Sequence, residues 1–178
     1  MRATRVLGLW FSLGGAGLAL AFHAGSSALG AERIPECPSV GWPTGGVSLP
    51  VDNARVLQWK RTTENQYLDR GHVQGRITRV FEERPGHVHF EIQIGDQALD
   101  TIEVVYNKSF GGLPSLKAGA QVEACGDYIT STAPSGPYPA SPSGAIIHWV
   151  HANPKGKGHP PGFVVVEGKV CGQDLDHV

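Results

Sequence analysis

The segment HVHFEIQIG, residues 87–95, constrains the fold more than any other part of the sequence. Apolar residues occupy every second position: Val88, Phe90, Ile92 and Ile94. A period of two places successive side chains on opposite faces of a β-strand, so that one face packs in a core and the other meets water. The segment therefore predicts a half-buried strand whose polar face carries His87 and His89.

Further strands are predicted on both sides of this segment, in HVQGRITRVFEE (72–83), TIEVVYN (101–107), QVEACGDYI (121–129) and AIIHWV (145–150). A short helix is expected near residues 53–60, with Asp52 or Asn53 as its cap. One helical turn is expected within GGLPSLKAGA (111–120), and FVVVEGKVC (163–171) resembles a hairpin that turns at Glu167 and Gly168.

The order strand, strand, strand, short helix, strand, strand is that of the OB-fold. The sequence therefore predicts a mainly β protein: a small five-stranded OB-like barrel with a short N-terminal helix and a C-terminal hairpin. Other small barrels and sandwiches share this strand content. OB barrels bind oligonucleotides or oligosaccharides on the face of strands 2 and 3 and with the loops that join strands 1–2 and 4–5. An unidentified ligand is expected on that face.

The first 30 residues are typical of a secretory signal peptide. Arg2 and Arg5 precede the apolar run VLGLWFSLGGAGLALAF, and small residues follow in SSALGA. The expected divisions are a signal peptide (1–30), an irregular lead-in with the short helix (31–70), the barrel (71–173) and a tail (174–178). The mature protein is expected to be exported, periplasmic or secreted, without a transmembrane segment after signal cleavage.

Charge excludes a strong general attraction to nucleic acid. The chain has 15 basic and 16 acidic side chains, and its net charge is −1 with histidine neutral. Removal of Arg2 and Arg5 with the signal peptide makes the mature protein slightly more acidic. Any affinity for a polyanion must therefore come from a local patch.

The three cysteines, Cys37, Cys125 and Cys171, all follow the predicted signal peptide. Export permits disulfides, and three cysteines allow three single pairings. Because Cys125 and Cys171 both lie in predicted strands, that pair is the expected disulfide. The spacings fit no zinc ribbon or knuckle, so a thiolate metal site is not expected.

The sequence from about residue 70 to residue 172 resembles an uncharacterised family of small exported bacterial proteins, domain of unknown function 3465. The matching blocks are HVHF, VVYN, CGDY and IIHWVHANPKGKGHPPGF. The resemblance implies an OB-like barrel and export, and it implies no activity. The chain departs from the family pattern at Tyr106, where a histidine is expected before Asn107.

Histidines are concentrated at the end of the fifth predicted strand and in the loop that follows, in IIHWVHANPKGKGHPPG (146–162). One interpretation is a divalent metal site, for example for zinc, that assists the hydrolysis of phosphodiesters, since imidazole is a common metal ligand. Its candidate ligands are His87, His89, His151 and His159. A second interpretation is metal-free acid–base hydrolysis of phosphodiesters, with His87, His151 and His159 as catalytic candidates.

A third interpretation is a non-catalytic binding module for an oligosaccharide, a nucleotide or an envelope partner. The residues expected to contact such a ligand are His89, Asn107, His148, Trp149, Lys155 and Lys157. The competing structural explanation is that Trp149 belongs to the core and that His148 and His151 hydrogen-bond the following loop. The sequence leaves these alternatives open.

Overall fold

The computed structural model describes residues 32–40 and 46–176. Within them the elements are α1 (Asn53–Thr62), β1 (Leu68–Val80), β2 (His87–Gln93), β3 (Thr101–Asn107), a 3-10 helix (Lys108–Phe110), β4 (Gln121–Thr130), β5 (Ala145–His148), β6 (Phe163–Val166) and β7 (Lys169–Cys171). The predicted strands, helix and C-terminal hairpin are confirmed, and their ends shift by a few residues.

Five strands form a closed mixed barrel in the order β1-β2-β3-β5-β4, and β1 also pairs with β4. Closure depends on the length of β1, whose first part pairs with β4 and whose last part pairs with β2. All pairings are antiparallel except β3 with β5. The strands β6 and β7 extend the sheet beyond β4. The predicted OB-like barrel is confirmed.

The interior of the barrel is filled by the alternating apolar residues of its strands. Phe90, Ile92, Ile102 and Ile147 have no exposed surface. Because side chains alternate across a strand, the neighbours of Phe90 on β2, His89 and Glu91, lie on the outer face. The alternation along β2 therefore determines which of its side chains lie on the outer face of the barrel.

The helix α1 covers one end of the barrel with Val56 and Leu57. It begins where the side chain of Asp52 accepts a hydrogen bond from the Arg55 backbone N–H at 2.9 Å, which confirms the expected cap. The ring of Trp59 lies 5.3 Å from that of Tyr128 between centroids. The helix therefore packs on the barrel beside β4.

The helical turn expected within residues 111–120 is wrong. The turn lies earlier, at Lys108–Phe110, where the side chain of Asn107 accepts a hydrogen bond from the Ser109 N–H at 2.9 Å. Gly111 ends it with φ of +101°, a conformation that favours glycine. This turn buries Phe110 beside the candidate site described below.

The expected disulfide between Cys125 and Cys171 is also wrong. Cys37 pairs with Cys125, with their Cα atoms 5.6 Å apart, and Cys171 is a buried free thiol. The reason is the pleat of the sheet. Cys125 packs with Phe163 on the outer side of the sheet, whereas Cys171 belongs to the core cluster on the other side. The lead-in segment, held by a hydrogen bond from Leu49 N–H to the Cys37 carbonyl at 2.7 Å, crosses the outer side.

The expected signal peptide and cleavage site fall within residues 1–31, which lie outside the described residues. In the described part of the chain, no helix combines the length and the apolar character needed to cross a membrane.

Candidate functional site

Three histidine rings from two strands lie side by side on the outer face of the barrel. The ring of His87 is 6.3 Å from that of His89 and 6.2 Å from that of His148, between centroids. His87 and His89 are two residues apart on β2, so they share a face, whereas His148 is the last residue of β5. The structure therefore brings together histidines that are about 60 positions apart in sequence.

The row of rings continues into the loop after β5. The centroid of Trp149 lies 4.3 Å from that of His148 and 5.3 Å from that of His159, which is stacked at an interplanar angle of 22°. The His159 ring meets His151 edge-on at 5.3 Å, and His151 stacks on Phe110 at 3.7 Å. We call this continuous set the ring row, and its members in order are His89, His87, His148, Trp149, His159, His151 and Phe110.

The backbone at Trp149 explains how consecutive residues join one row. Trp149 has a φ of +51°, in the left-handed region that few residues other than glycine adopt. The strand ends at His148, so the alternation that would place His148 and Trp149 on opposite faces is interrupted. Gly126 and Gly162 permit the tight packing here, since a Cβ on either one would collide with the carbonyl oxygen of His148 or Trp149.

The tautomers of three imidazoles follow from their backbone contacts. Nδ1 of His151 lies 2.6 Å from the Ala152 carbonyl oxygen, and Nδ1 of His159 lies 2.8 Å from that of Pro160. Nδ1 of His87 makes a longer contact, 3.3 Å, with the carbonyl of Pro85. Because a carbonyl oxygen can only accept, each Nδ1 carries the proton, and each neutral ring has its lone pair on Nε2.

Those Nε2 atoms have no hydrogen-bond partner among the described residues, and neither do the ring nitrogens of His148 and Trp149. Every fully buried side-chain nitrogen or oxygen in the described part does have one. The unpartnered nitrogens therefore reach solvent. The ring row therefore has ring nitrogens that can form hydrogen bonds and that have no partner among the described residues.

The centre of the ring row is uncharged at neutral pH. Burial, assisted by the nearby imidazoles of His87, His151, His159 and His89, lowers the pKa of His148 to about 4. Burial also lowers the pKa of His151. A neutral imidazole can stack, accept one hydrogen bond and donate one, so this part of the row is suited to a polar uncharged group.

The outer face of β2 is less open to water than the alternation predicts. His89 is only 7% exposed, and Glu103, on the neighbouring strand, is 4% exposed. The loop between β4 and β5 covers this face, where Ser141 donates to Glu103 at 2.5 Å and Ser143 donates to Glu91 at 2.8 Å. The serine hydrogen bonds hold the loop on the strands.

A pocket of about 220 Å³ lies between this loop and the β1–β2 loop. His89 and Glu103 form its floor, and its walls come from Phe81, Glu82, Glu83, Arg84 and Pro142. This is the surface that OB barrels use for ligands, between strands 2 and 3 and the loops 1–2 and 4–5. The pocket therefore adjoins the His89 end of the ring row.

The remaining predicted site residues stand apart. The Asn107 side chain caps the 3-10 helix, although its backbone pairs with His87. Lys155 and Lys157 are exposed in the loop that carries His151 and His159, and their ammonium groups make no ion pair within the described residues. At Tyr106, where the resemblance expects a histidine, the buried hydroxyl donates to the Gly111 carbonyl at 2.7 Å.

The candidate metal ligands His87, His89, His151 and His159 do not form a ligand set. Over residues 32–40 and 46–176, no group of three or more histidine, cysteine, aspartate or glutamate side chains is arranged to hold a metal ion. The histidines of the ring row instead meet through ring-to-ring contacts.

Three residues in this region were not predicted as site residues. Glu103 and Phe110 lie in segments that resemble ordinary core strands and turns, and Ser141 lies in a loop rich in proline. The position of Glu103 opposite Glu91 on paired strands was the one available signal, because alternation places both on the face of His89.

Comparisons of the chain with family models, with curated proteins and with solved structures returned no match.

Proposed function

We propose that this protein is an exported binding module that takes an uncharged, ring-containing ligand on the ring row, with an oligosaccharide as the leading class. The observation that carries the proposal is the continuous row from His89 to Phe110, with unpartnered ring nitrogens along it. Aromatic faces pack against the apolar faces of sugars, and the free ring nitrogens match their hydroxyl groups.

Charge supports an uncharged ligand. The centre of the ring row is neutral, and the neighbouring pocket has three carboxylates and one guanidinium among its lining residues. Glu83 is already paired with Lys108 at 2.7 Å. Sites for polyanions instead concentrate lysine and arginine along the track of the phosphates.

The disulfide between Cys37 and Cys125 supports the proposed export, since such bonds persist in oxidising compartments. The resemblance to the exported family points the same way. Intact-mass measurement of the mature protein tests this part, and it should show an N-terminus at Ala31 or Glu32. A mature species that retains residues 1–25 would contradict export.

Binding is tested by isothermal titration of the mature protein with a panel of neutral oligosaccharides and with an oligothymidylate of similar length. We expect binding to at least one oligosaccharide, and we expect Trp149→Ala to abolish it. Tyr138→Ala is the matched control, because Tyr138 is an aromatic residue that is 71% exposed and outside the ring row. Binding of the oligonucleotide alone would contradict the proposed ligand class.

Phosphodiester hydrolysis is the second candidate function. It is favoured by the edge-on contact of His151 and His159 at 5.3 Å, in the same loop as Lys155 and Lys157. Two imidazoles can exchange protons with a substrate, and a lysine can stabilise developing negative charge. Hydrolysis of bis(4-nitrophenyl) phosphate by the wild type, lost in both His159→Gln and Lys157→Met, would support this function. The absence of turnover in the wild type would contradict it.

A further inference from the structure

The pocket at the end of the ring row contains a histidine arranged for proton transfer. Nδ1 of His89 lies 2.7 Å from Oε1 of Glu103, and the two side chains are 8% and 5% exposed. The second carboxylate oxygen of Glu103 accepts the hydrogen bond from Ser141. Because Glu103 is fixed on both sides, it holds the His89 ring in one orientation and in the tautomer with Nδ1 protonated.

The other nitrogen of this ring is not used in the contacts of the described residues. Nε2 of His89 has no hydrogen-bond partner in the described chain, and every fully buried side-chain nitrogen there has one, so Nε2 must reach solvent. His89 is one of the residues that line the 220 Å³ pocket. An imidazole whose side chain is more than nine-tenths buried thus has an unpartnered lone pair beside a small cavity.

We propose that His89 is a general base for the hydrolysis of small uncharged esters, and that Glu103 is its positioning residue. His89 Nε2 takes a proton from a water molecule while the water oxygen bonds to the acyl carbon. The bond from that carbon to the alkoxy oxygen then breaks, and the imidazolium returns the proton to the departing oxygen. The products are a carboxylic acid and an alcohol, and water is the only co-reactant.

The walls of the pocket select the substrate class. Phe81 and Pro142 offer apolar surface to an acyl group, and Arg84 supplies a cation for negative charge that develops on the ester oxygen. Glu82 and Glu83 disfavour an anionic substrate such as a phosphodiester. The volume is below the roughly 300–1,000 Å³ of sites for drug-sized ligands, so a short acyl group fits better than a long one.

The inference does not depend on oligosaccharide binding, because the pocket does not include Trp149. The probe is 4-nitrophenyl acetate, and the mature protein is the enzyme. We expect His89→Gln to lower kcat/KM by about 10²-fold or more, the usual contribution of a general base. We expect Glu103→Gln to lower kcat more than KM, because the imidazole loses the carboxylate that orients it.

His72→Gln is the matched control. His72 also pairs with a carboxylate, Glu123, at 2.9 Å, but its other nitrogen is taken by the Leu49 carbonyl at 2.8 Å and it does not line the pocket. This variant should keep the wild-type rate. Far-UV circular dichroism confirms folding of each variant, and Arg84→Met, which changes an exposed residue, tests the same pocket if His89→Gln does not fold.

Arg84→Met should lower kcat. The inference is overturned if the wild type does not hydrolyse the ester, or if folded His89→Gln and Glu103→Gln retain its rate. It is also overturned if the activity is lost in His72→Gln. Loss of oligosaccharide binding in Trp149→Ala with unchanged ester hydrolysis separates this inference from the proposed binding function.

Discussion

Nδ1 of His89 lies 2.7 Å from Oε1 of Glu103, and this buried contact joins the centres of β2 and β3 on the outer face of the barrel. Outer-face residues of an OB barrel are ordinarily open to water, but here the β4–β5 loop covers the pair. A buried carboxylate and imidazole are stable together only when their hydrogen bonds are complete. The loop therefore shields the pair from water, and its Ser141 donates a hydrogen bond to the second carboxylate oxygen of Glu103.

The disulfide between Cys37 and Cys125 is expected to stabilise the folded protein. Cys37→Ser should lower the free energy of unfolding by about 2–5 kcal/mol, because the unfolded chain loses an 88-residue constraint. Chemical denaturation measures this change. Non-reducing digestion should yield a peptide pair with Cys37 and Cys125, and a pair with Cys171 would contradict the structure.

The thiol of Cys171 provides the control for that experiment. It is buried in the core, and burial raises its pKa. Cys171→Ser should leave the disulfide intact.

Removal of the buried ion pair between Arg70 and Asp127 is expected to lower the free energy of unfolding far more than removal of the surface pair between Glu83 and Lys108. The first is 2.6 Å long, and the side chain of Arg70 is 1% exposed. Asp127→Ala should cost about 3–5 kcal/mol of unfolding free energy, because it leaves a buried guanidinium without its partner. Glu83→Ala should cost at most about 1 kcal/mol. If urea denaturation showed the same loss of unfolding free energy in both variants, the burial of Arg70 and Asp127 would be contradicted.

The barrel and most of its elements were predictable because they depend on local patterns. The alternation in residues 87–95, the cap at Asp52 and the hairpin turn at Glu167 and Gly168 each have a mechanism that acts within a few residues. The sequence did not reveal the disulfide partner, because that depends on which face of β4 the lead-in crosses. The burial of Glu103 likewise depends on a loop that is about 40 positions away.

The ring row was only partly predictable. The sequence shows that its histidines are concentrated in a few segments. Their order along the surface depends on the left-handed backbone of Trp149, and a tryptophan in the sequence does not predict that conformation. Phe110 was missed because the helical turn was expected a few residues later. The metal hypothesis requires three or more of these side chains to converge on one ion, and no such group exists among the described residues.

Stability should fall in acid because of His148. Its folded pKa is about 4, against an ordinary value of 6.5, so between these values the unfolded chain binds more protons than the folded one. The free energy of unfolding therefore decreases as the pH falls from about 6.5 to about 4. Denaturation at several pH values measures the slope. His148→Asn should flatten it, and an unchanged slope in that variant would contradict the burial of a neutral imidazole.

The left-handed backbone at Trp149 predicts that glycine at this position gives a more stable protein than alanine. Glycine adopts a φ of +51° without strain, whereas alanine does not. Trp149→Gly should therefore be more stable than Trp149→Ala by about 1 kcal/mol, the reverse of the usual order at a strand end. Thermal denaturation of the two variants measures the difference. A more stable alanine variant would show that the loop relaxes to an ordinary conformation.

An NMR titration of the mature protein with the neutral oligosaccharide panel, observing the indole N–H groups and the imidazole rings, tests whether ligand binds on the ring row. We expect the signals of Trp149, His148 and His159 to shift together and saturate, while those of Trp59 and His72, which lie outside the ring row, stay in place. Binding on the ring row is contradicted if no member of the panel moves the ring-row signals, or if the shifts occur at Trp59 and His72 instead.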